Sequence, residues 1–280
     1  MSIVVGIDVG GSATKIVGIR SKGDSYELVE PQKVNANDPL TAIYGAFGRF
    51  IDQNGLSISD IDKVMMTGVG SSHIRQKLYG LESEWVREFD SIGRGGLYLS
   101  GLREALVVSI GTGTAIVHAK ENGEMKYLGG TGVGGGTLMG LSKLLLQAES
   151  MKYIAELAED GDLANIDLRI KDITAKDTTN ELEGELTVAN FGNISDVAGR
   201  GDVALGVLNL VFETVGMIAI FAARSCGVRD IVLTGNLTNL DACREKFEHF
   251  GGAKERYGVK FIIPPHSTYA TVIGTALQGI

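Results

Sequence analysis

One arrangement occurs twice in this chain and limits what it can fold into: a β-branched apolar run, a short turn of glycines and hydroxyl residues, and a second such run. The first copy is Ile3-Val4-Val5-Gly6-Ile7-Asp8-Val9-Gly10-Gly11-Ser12-Ala13-Thr14-Lys15-Ile16-Val17-Gly18-Ile19. The second, about a hundred residues later, is Leu106-Val107-Val108-Ser109-Ile110-Gly111-Thr112-Gly113-Thr114-Ala115-Ile116-Val117-His118. Each reads as a β-hairpin whose strands are buried on both faces. Gly10 and Gly11 tolerate positive φ and carry no Cβ, so backbone N–H groups of the turn can approach an anionic oxygen closely. Ser12 and Thr14 add hydroxyl donors and Lys15 adds a cation. Asp8, at the end of the first strand, suits Mg²⁺ held directly or through its waters. A lone glycine hairpin also has an ordinary reading as a turn, but two in matching settings point to a duplicated domain plan.

Length agrees with duplication, since 280 residues exceed the usual single domain. The expected division is an N-terminal domain over 1–104 and a C-terminal domain over 105–280. A net charge of −8 argues against nucleic acid or an anionic membrane as main partner, because no basic surplus exists to neutralise phosphates. Cys226 and Cys243 fit no metal, haem or redox spacing. They suggest a reducing compartment, and a strand start with no basic-then-apolar leader adds the expectation of a cytoplasmic protein. The apolar run Val203 to Ala223 contains Asn209 and Glu213 and reads as a buried helix rather than a membrane span.

Further along, Tyr26 to Val34 reads as a third strand. Asp38-Pro39 supplies an N-cap and a proline at the first helical position, and Ile43, Phe47 and Ile51 form a helical stripe that Asn54-Gly55 ends. Lys63 to Gly68 is a short strand ending in Thr-Gly, a pattern that returns in Asp230 to Asn236. After Trp85 to Asp90 comes a helix expected to be interrupted by Gly93, Gly95 and Gly96. Gly129 to Thr137 is a second glycine-rich stretch, placed before a helix over Leu138 to Glu149, where the backbone can pass close to a flat or anionic ligand. Long helices are expected over Gly206 to Ser225 and Leu240 to Phe250. A strand over Lys260 to Ile263 and a helix over Thr268 to Leu277 close the chain.

Two α/β halves, each opening with a phosphate hairpin, would place the two turns across a cleft with a nucleotide polyphosphate between them. No Gly-x-x-x-x-Gly-Lys-Ser/Thr loop exists, and the later glycines do not follow a first strand as a dinucleotide fingerprint does. The layout resembles the superfamily of actin, hexokinase and the heat-shock chaperone ATPases, which implies duplicated actin-like (ribonuclease H-like) domains. Within it, Gly6-Ile7-Asp8-Val9-Gly10-Gly11-Ser12-x-x-Lys15, Glu88-Phe89-Asp90, Gly111-Thr112-Gly113-Thr114, Gly134-Gly135-Gly136-Thr137, Leu186 to Gly192 and Thr234-Gly235-Asn236 resemble type II pantothenate kinase in order and over nearly the whole chain.

That resemblance implies an ATP- and Mg²⁺-dependent kinase acting on the pantoyl hydroxyl of pantothenate, the first step of coenzyme A biosynthesis, in a homodimer. Glu88 matches the catalytic carboxylate, a general base for the attacking alcohol. Read without the resemblance, it is a solvated acid among Glu82, Glu84 and Asp90. Asp8 would serve magnesium. Gly10, Gly11, Ser12 and Lys15 would hold one side of the polyphosphate and Thr112, Gly113 and Thr114 the other. Gly134, Gly135 and Gly136 would approach the nucleotide, with Gly235 in the repeated Thr-Gly beside it.

Two positions depart from the family. Ala115 stands where it usually has serine and Tyr127 where it usually has arginine, the pair associated with the pantothenate carboxylate. Losing a charge-assisted pair costs about 1.5–3 kcal/mol, roughly ten- to over a hundredfold in affinity. Three readings stand side by side: Lys126 or Arg87 substitutes for the arginine; the substrate is pantetheine, whose arm is uncharged; or kinase function has been lost. A reading from another class is a non-catalytic ATP-dependent switch or sensor. A dehydratase activator would need cysteines in glycine-flanked loops, and a chaperone would need a peptide-binding domain. His73 and His118 read as structural, and Trp85 and Phe89 as packing for the Glu88 segment.

Overall fold

The first hairpin forms as expected, with β1 (Ile3–Val9) antiparallel to β2 (Thr14–Lys22) and Asp8 directly opposite Lys15. In the computed structural model, which describes residues 3–11, 13–22, 25–35, 38–73, 77–174, 184–252 and 257–280, this hairpin is the centre of a five-stranded sheet. β3 (Ser25–Val34), β4 (Ile61–Thr67) and β5 (Glu82–Trp85) complete it in the order β3-β2-β1-β4-β5. β6 (Glu104–Ile110), β7 (Thr114–Lys120) and β8 (Met125–Thr131) begin a second sheet, and β9 (Leu168–Arg169) with β10 (Thr187–Ala189) makes a separate ribbon. β11 (Asp230–Thr234) and β12 (Lys260–Ile262) finish the second sheet in the order β8-β7-β6-β11-β12. In both sheets the first three strands form an antiparallel meander and the last two join in parallel, so the duplication read from the hairpins extends to topology. β8 had no counterpart in the strand assignments, because Gly129 and Gly130 depress strand propensity over its second half.

The described helices are α1 (Pro39–Gln53), α2 (Glu88–Ser100), α3 (Gly135–Leu146), α4 (Met151–Glu159), α5 (Ile170–Ile173), α6 (Arg200–Cys226), α7 (Asp241–Gly252) and α8 (Ala270–Ala276). α1 starts where Asp38-Pro39 placed it, with the Asp38 carboxylate accepting the Thr41 N–H at 2.7 Å. Its Ile43, Phe47 and Phe50 are fully buried against Ile3, Ile7 and Ile16. α6 begins six residues before the expected Gly206, because the Asp202 carboxylate accepts the Gly199 and Asp162 N–H groups at 2.8 and 2.7 Å and caps its first turn. By length and composition alone α6 is apolar enough to cross a membrane, but Val207, Val211, Val215 and Ala219 are buried in the core of the second half. α3 starts at Gly135 rather than Leu138 and ends at Leu146 rather than Glu149, where Gln147 turns to φ 54°.

The inner faces of the sheets are covered by exchange. α2 precedes the boundary expected at 104/105, yet its Ile92 and Leu97 pack on Ala105, Val107 and Val117 of the second sheet. α8 belongs to the second half, yet its Val272, Ile273 and Ala276 pack on Val4, Val17, Ile19 and Met65 of the first. A linear cut between β5 and β6 therefore separates each sheet from one of its covering helices.

The expectation of an interruption in α2 is corrected: the helix is continuous, and its glycines are contact surfaces. A Cβ added to Gly95 would lie 1.8 Å from the Ala270 carbonyl oxygen, and one added to Gly274 would lie 1.9 Å from that of Ser91. α2 and α8 thus cross backbone to backbone, while Gly96 meets Val107 and Gly93 meets Met125. Close packing here offsets the roughly 1 kcal/mol of helix propensity that each glycine gives up.

Candidate active site

Both hairpin turns open onto one cleft of about 650 Å³ between the halves. The turns face each other directly, since a Cβ on Gly11 would sit 3.8 Å from the Thr112 hydroxyl oxygen. Asp8, Gly10, Gly11 and Lys15 line one side; Gly111, Thr112, Gly113, Thr114 and Ala115 line the other. Ser12 lies outside the described residues, as does the side chain of His73.

Strand pairing puts Asp8 and Lys15 side by side on one face of the first sheet. Burial raises the Asp8 pKa, against the lowering influence of the Lys15 charge; burial lowers that of Lys15, against the raising influence of Asp8. The Lys15 ammonium donates to the Thr268 carbonyl at 2.6 Å, which ties the first turn to the segment entering α8. The Asp8 carboxylate has no hydrogen-bond partner among the described residues and opens onto the cleft. Gly68 makes room for it: with φ +86°, its Cβ would stand 2.8 Å from an Asp8 carboxylate oxygen. Gly235 repeats this in the second half, with φ +97° and a Cβ that would meet the Ile110 carbonyl oxygen at 2.5 Å. Each Thr-Gly therefore lets the chain graze the end of a central strand, and Gly235 lines the cleft together with Asn236.

The second turn is braced from behind. The N–H groups of Gly135 and Gly136 donate to the carbonyls of Gly111 and Thr112, both at 2.8 Å, and the Thr114 hydroxyl donates to the Val133 carbonyl at 2.8 Å. A Cβ on Gly134 would approach the backbone of Thr112 and Gly113 to 2.9 Å. Gly134, Gly135 and Gly136 were expected to approach a nucleotide; in the structure they lie behind the turn and are not among the residues lining the cleft. Their lack of side chains serves contact with the 111–113 backbone instead.

Glu88, the first residue of α2, stands at the lip of the cleft. The protein around its carboxylate raises its pKa, and the Asp8 charge adds to the shift. Next to it, the Phe89 ring stacks face to face on Tyr127, with centroids 3.8 Å apart and planes 10° apart. Sequence reading gave Phe89 a packing role and Tyr127 a substrate role without linking them; 38 positions separate the two, and no local signal joins them. Tyr127 and Ala115 both line the cleft, whereas neither Lys126 nor Arg87 does. Lys126 opposes His118 across β7 and β8 and, as the strand neighbour of Tyr127, points to the other face. Arg87 is paired with Asp90 at 2.8 Å. Lys15 is the one cation among the described residues that line the cleft.

Of the remaining candidates, His118 contacts a Glu104 carboxylate oxygen at 2.7 Å on the side away from the cleft, and Trp85 donates to the Ser71 carbonyl. Cys243 is buried, which pushes its thiol up to about 12, and Cys226 is half-buried; both are unpaired. Among the described residues no group of three or more His, Cys, Asp or Glu side chains gathers to hold a metal.

Two meander-plus-parallel sheets with exchanged helices and paired turns at the cleft define an actin-like fold. Solved structures with this fold include the activator of 2-hydroxyisocaproyl-CoA dehydratase from Clostridium difficile with bound ADPNP, at TM-score 0.69 and 15% identity over 99% of this chain and 93% of that one. Another is a ROK family glucokinase from Streptomyces griseus in complex with glucose and AMPPNP, at TM-score 0.62 and 14% identity over 99% of both chains. The family model described as Fumble matches residues 103–246. Type II pantothenate kinase from Staphylococcus haemolyticus is 31% identical over 257 residues, 88% of this chain and 90% of that protein. Its counterpart from Staphylococcus aureus strain USA300 is 29% identical over 252 residues, 86% and 87% of the two chains. The chain belongs to the type II pantothenate kinase family, and it is a kinase, a phosphotransferase with an alcohol acceptor.

Proposed function

We propose that this kinase transfers the γ-phosphate of ATP to the primary hydroxyl of a pantoyl group, with Glu88 as general base. The observation that carries the reading is the convergence of Asp8, Lys15, Glu88 and the turn Gly111 to Thr114 on one cleft. Glu88 accepts the hydroxyl proton, a role its raised pKa favours because a base works best near the operating pH. Lys15 and the N–H groups of the two turns neutralise and position the polyphosphate, the main contribution in phosphoryl transfer. Asp8 fits Mg²⁺, since it is an unpartnered carboxylate facing the polyphosphate side and this ion needs only one or two protein carboxylates beside phosphate oxygens and water. The ion would neutralise charge on the transferring group. The brace by Gly135 and Gly136 holds the second turn in shape while it does this.

The acceptor was expected to be pantothenate, with pantetheine as the alternative. One observation favours pantetheine: the acceptor side of the cleft presents Ala115 and Tyr127, whose ring is stacked on Phe89, with no cation among the described residues there. An aromatic wall suits an uncharged amide arm and gives a carboxylate no cationic partner. Steady-state kinetics with ATP and each compound tests both readings. A higher kcat/KM for pantetheine supports the second, equal or better use of pantothenate overturns it, and turnover of neither overturns the pantoyl assignment. Exposed Ile173, Val188, Ile194 and Val197 on the second half give apolar surface for the homodimer that the resemblance implies, which light scattering tests. Two unpaired cysteines suit a cytoplasmic location.

A further inference from the structure

A second cavity, of about 470 Å³, opens where the two halves meet at the far end of α2 from Glu88. Arg94, Leu97, Tyr98 and Gly101 line it from the helix and its cap, at the i, i+3, i+4, i+7 spacing of a single stripe. The first half contributes Tyr26 from β3, and the second contributes Arg103, Lys120 and Met125 around β6 to β8. Its side-chain charges are three cations against the single carboxylate of Glu121, in a chain whose net charge is −8. The two arginines are weakly engaged. Arg94 makes no ion pair among the described residues, Arg103 meets Glu121 only at 3.5 Å with its side chain 88% exposed, and Lys120 pairs with Glu124 at 3.1 Å.

We infer that this cavity binds a small organic anion with an apolar or aromatic body, and that its occupancy is linked to the ATP cleft through α2. The guanidinium groups of Arg94 and Arg103 present planar donor forks suited to a carboxylate, phosphate or sulfonate. Leu97 and Met125 give the body an apolar floor, and Tyr26 and Tyr98 give it aromatic walls. The link is mechanical. Glu88 and Tyr98 are ten residues apart on one continuous helix, about 15 Å at 1.5 Å per residue. Between them Gly95 is locked against α8. A ligand bridging Arg94 on α2 to Arg103 and Lys120 biases the same crossing that positions Glu88, and by thermodynamic reciprocity ATP biases the ligand.

The test uses anilinonaphthalene sulfonate, an aromatic anion whose fluorescence reports binding, titrated into the full chain with and without saturating ATP and magnesium. Binding that survives ATP, shifts in affinity by threefold or more when ATP is added, and weakens tenfold or more in the Arg94→Glu/Arg103→Glu variant supports the inference. Both arginines are exposed, so this variant folds, and retained kinase turnover confirms it. Abolition of the signal by ATP, equal affinity with and without ATP, or unaltered binding in the variant overturns it. None of these outcomes depends on which alcohol the kinase phosphorylates.

Discussion

Replacing Gly95 by alanine separates two accounts of the glycines in α2. If they are merely poor helix formers, Gly95→Ala stabilises the protein by about 0.8–1 kcal/mol, the propensity gap between the two residues. The structure demands the opposite. The new methyl carbon would lie 1.8 Å from the Ala270 carbonyl oxygen, about 1.6 Å short of the 3.4 Å at which ordinary contact begins. The obstacle is backbone, so relief requires α2 to move away from α8, opening the contact that ties each half to the other's helix. Overpacking of this kind costs about 1–3 kcal/mol and more where backbone must shift, so the net effect is a loss of about 2 kcal/mol or more. At roughly 2–4 °C per kcal/mol for a large domain, the melting temperature falls by about 5 °C. Gly48→Ala is the control, because its Cβ meets nothing within 4 Å on the exposed face of α1, and it is expected to raise stability slightly. Calorimetric melts of both variants beside the wild type give the sign. Since α2 starts at Glu88, a displacement near 1 Å also lowers turnover on the order of a hundredfold. A Gly95→Ala protein that melts at or above the wild-type temperature with unchanged turnover refutes the interlock.

Four further outcomes follow from the site and its supports. Glu88→Gln is expected to lower turnover by about 10²–10⁴-fold while ATP binding, followed calorimetrically, persists. As an ionised base Glu88 loses function as pH falls through a pKa lying above the ordinary glutamate range; Asp8→Asn removes a like charge and moves that titration, read by side-chain NMR, to lower pH. The double variant Ala115→Ser/Tyr127→Arg supplies a hydroxyl and a cation at the acceptor end and is expected to raise kcat/KM for pantothenate relative to pantetheine at least tenfold; an unchanged ratio counts against these residues as the selectors. Hydrogen bonds from the Asp162 and Gly199 N–H groups hold the Asp202 carboxyl below its usual range, so its stabilisation is present above the unfolded pKa and disappears as acid titrates it. Asp202→Ala is expected to cost about 1–2 kcal/mol at neutral pH, with the difference from wild type shrinking in acid denaturation profiles.

What the sequence determined by itself was local. A β-branched run must hydrogen-bond along its neighbour, Gly10-Gly11 and Gly111-Thr112-Gly113 can make only turns of a certain kind, and Asp38-Pro39 starts a helix by satisfying its first N–H groups. The facing turns and the place of Asp8 and Lys15 in one cleft were therefore legible, helped by the repeat of hairpin and Thr-Gly, whereas only the family resemblance singled out Glu88. The tertiary structure decided everything that joins residues distant in the chain. Gly95 looks like a helix breaker until Ala270 is laid against it, because the sign of a glycine's contribution depends on a neighbour some 175 positions away. Lys126 and Arg87 were plausible substitutes for an arginine until strand alternation and the Asp90 ion pair turned them from the cleft. Tyr127 acquired its stacking partner Phe89 only when β8 was brought beside the start of α2. Gly134 to Gly136, expected to approach a nucleotide, stand against the backbone of the second turn, a contact that only the fold reveals. Non-local packing carries no periodic signature in the chain, and it is this packing that makes two glycine hairpins into one cleft with Tyr127 in its wall.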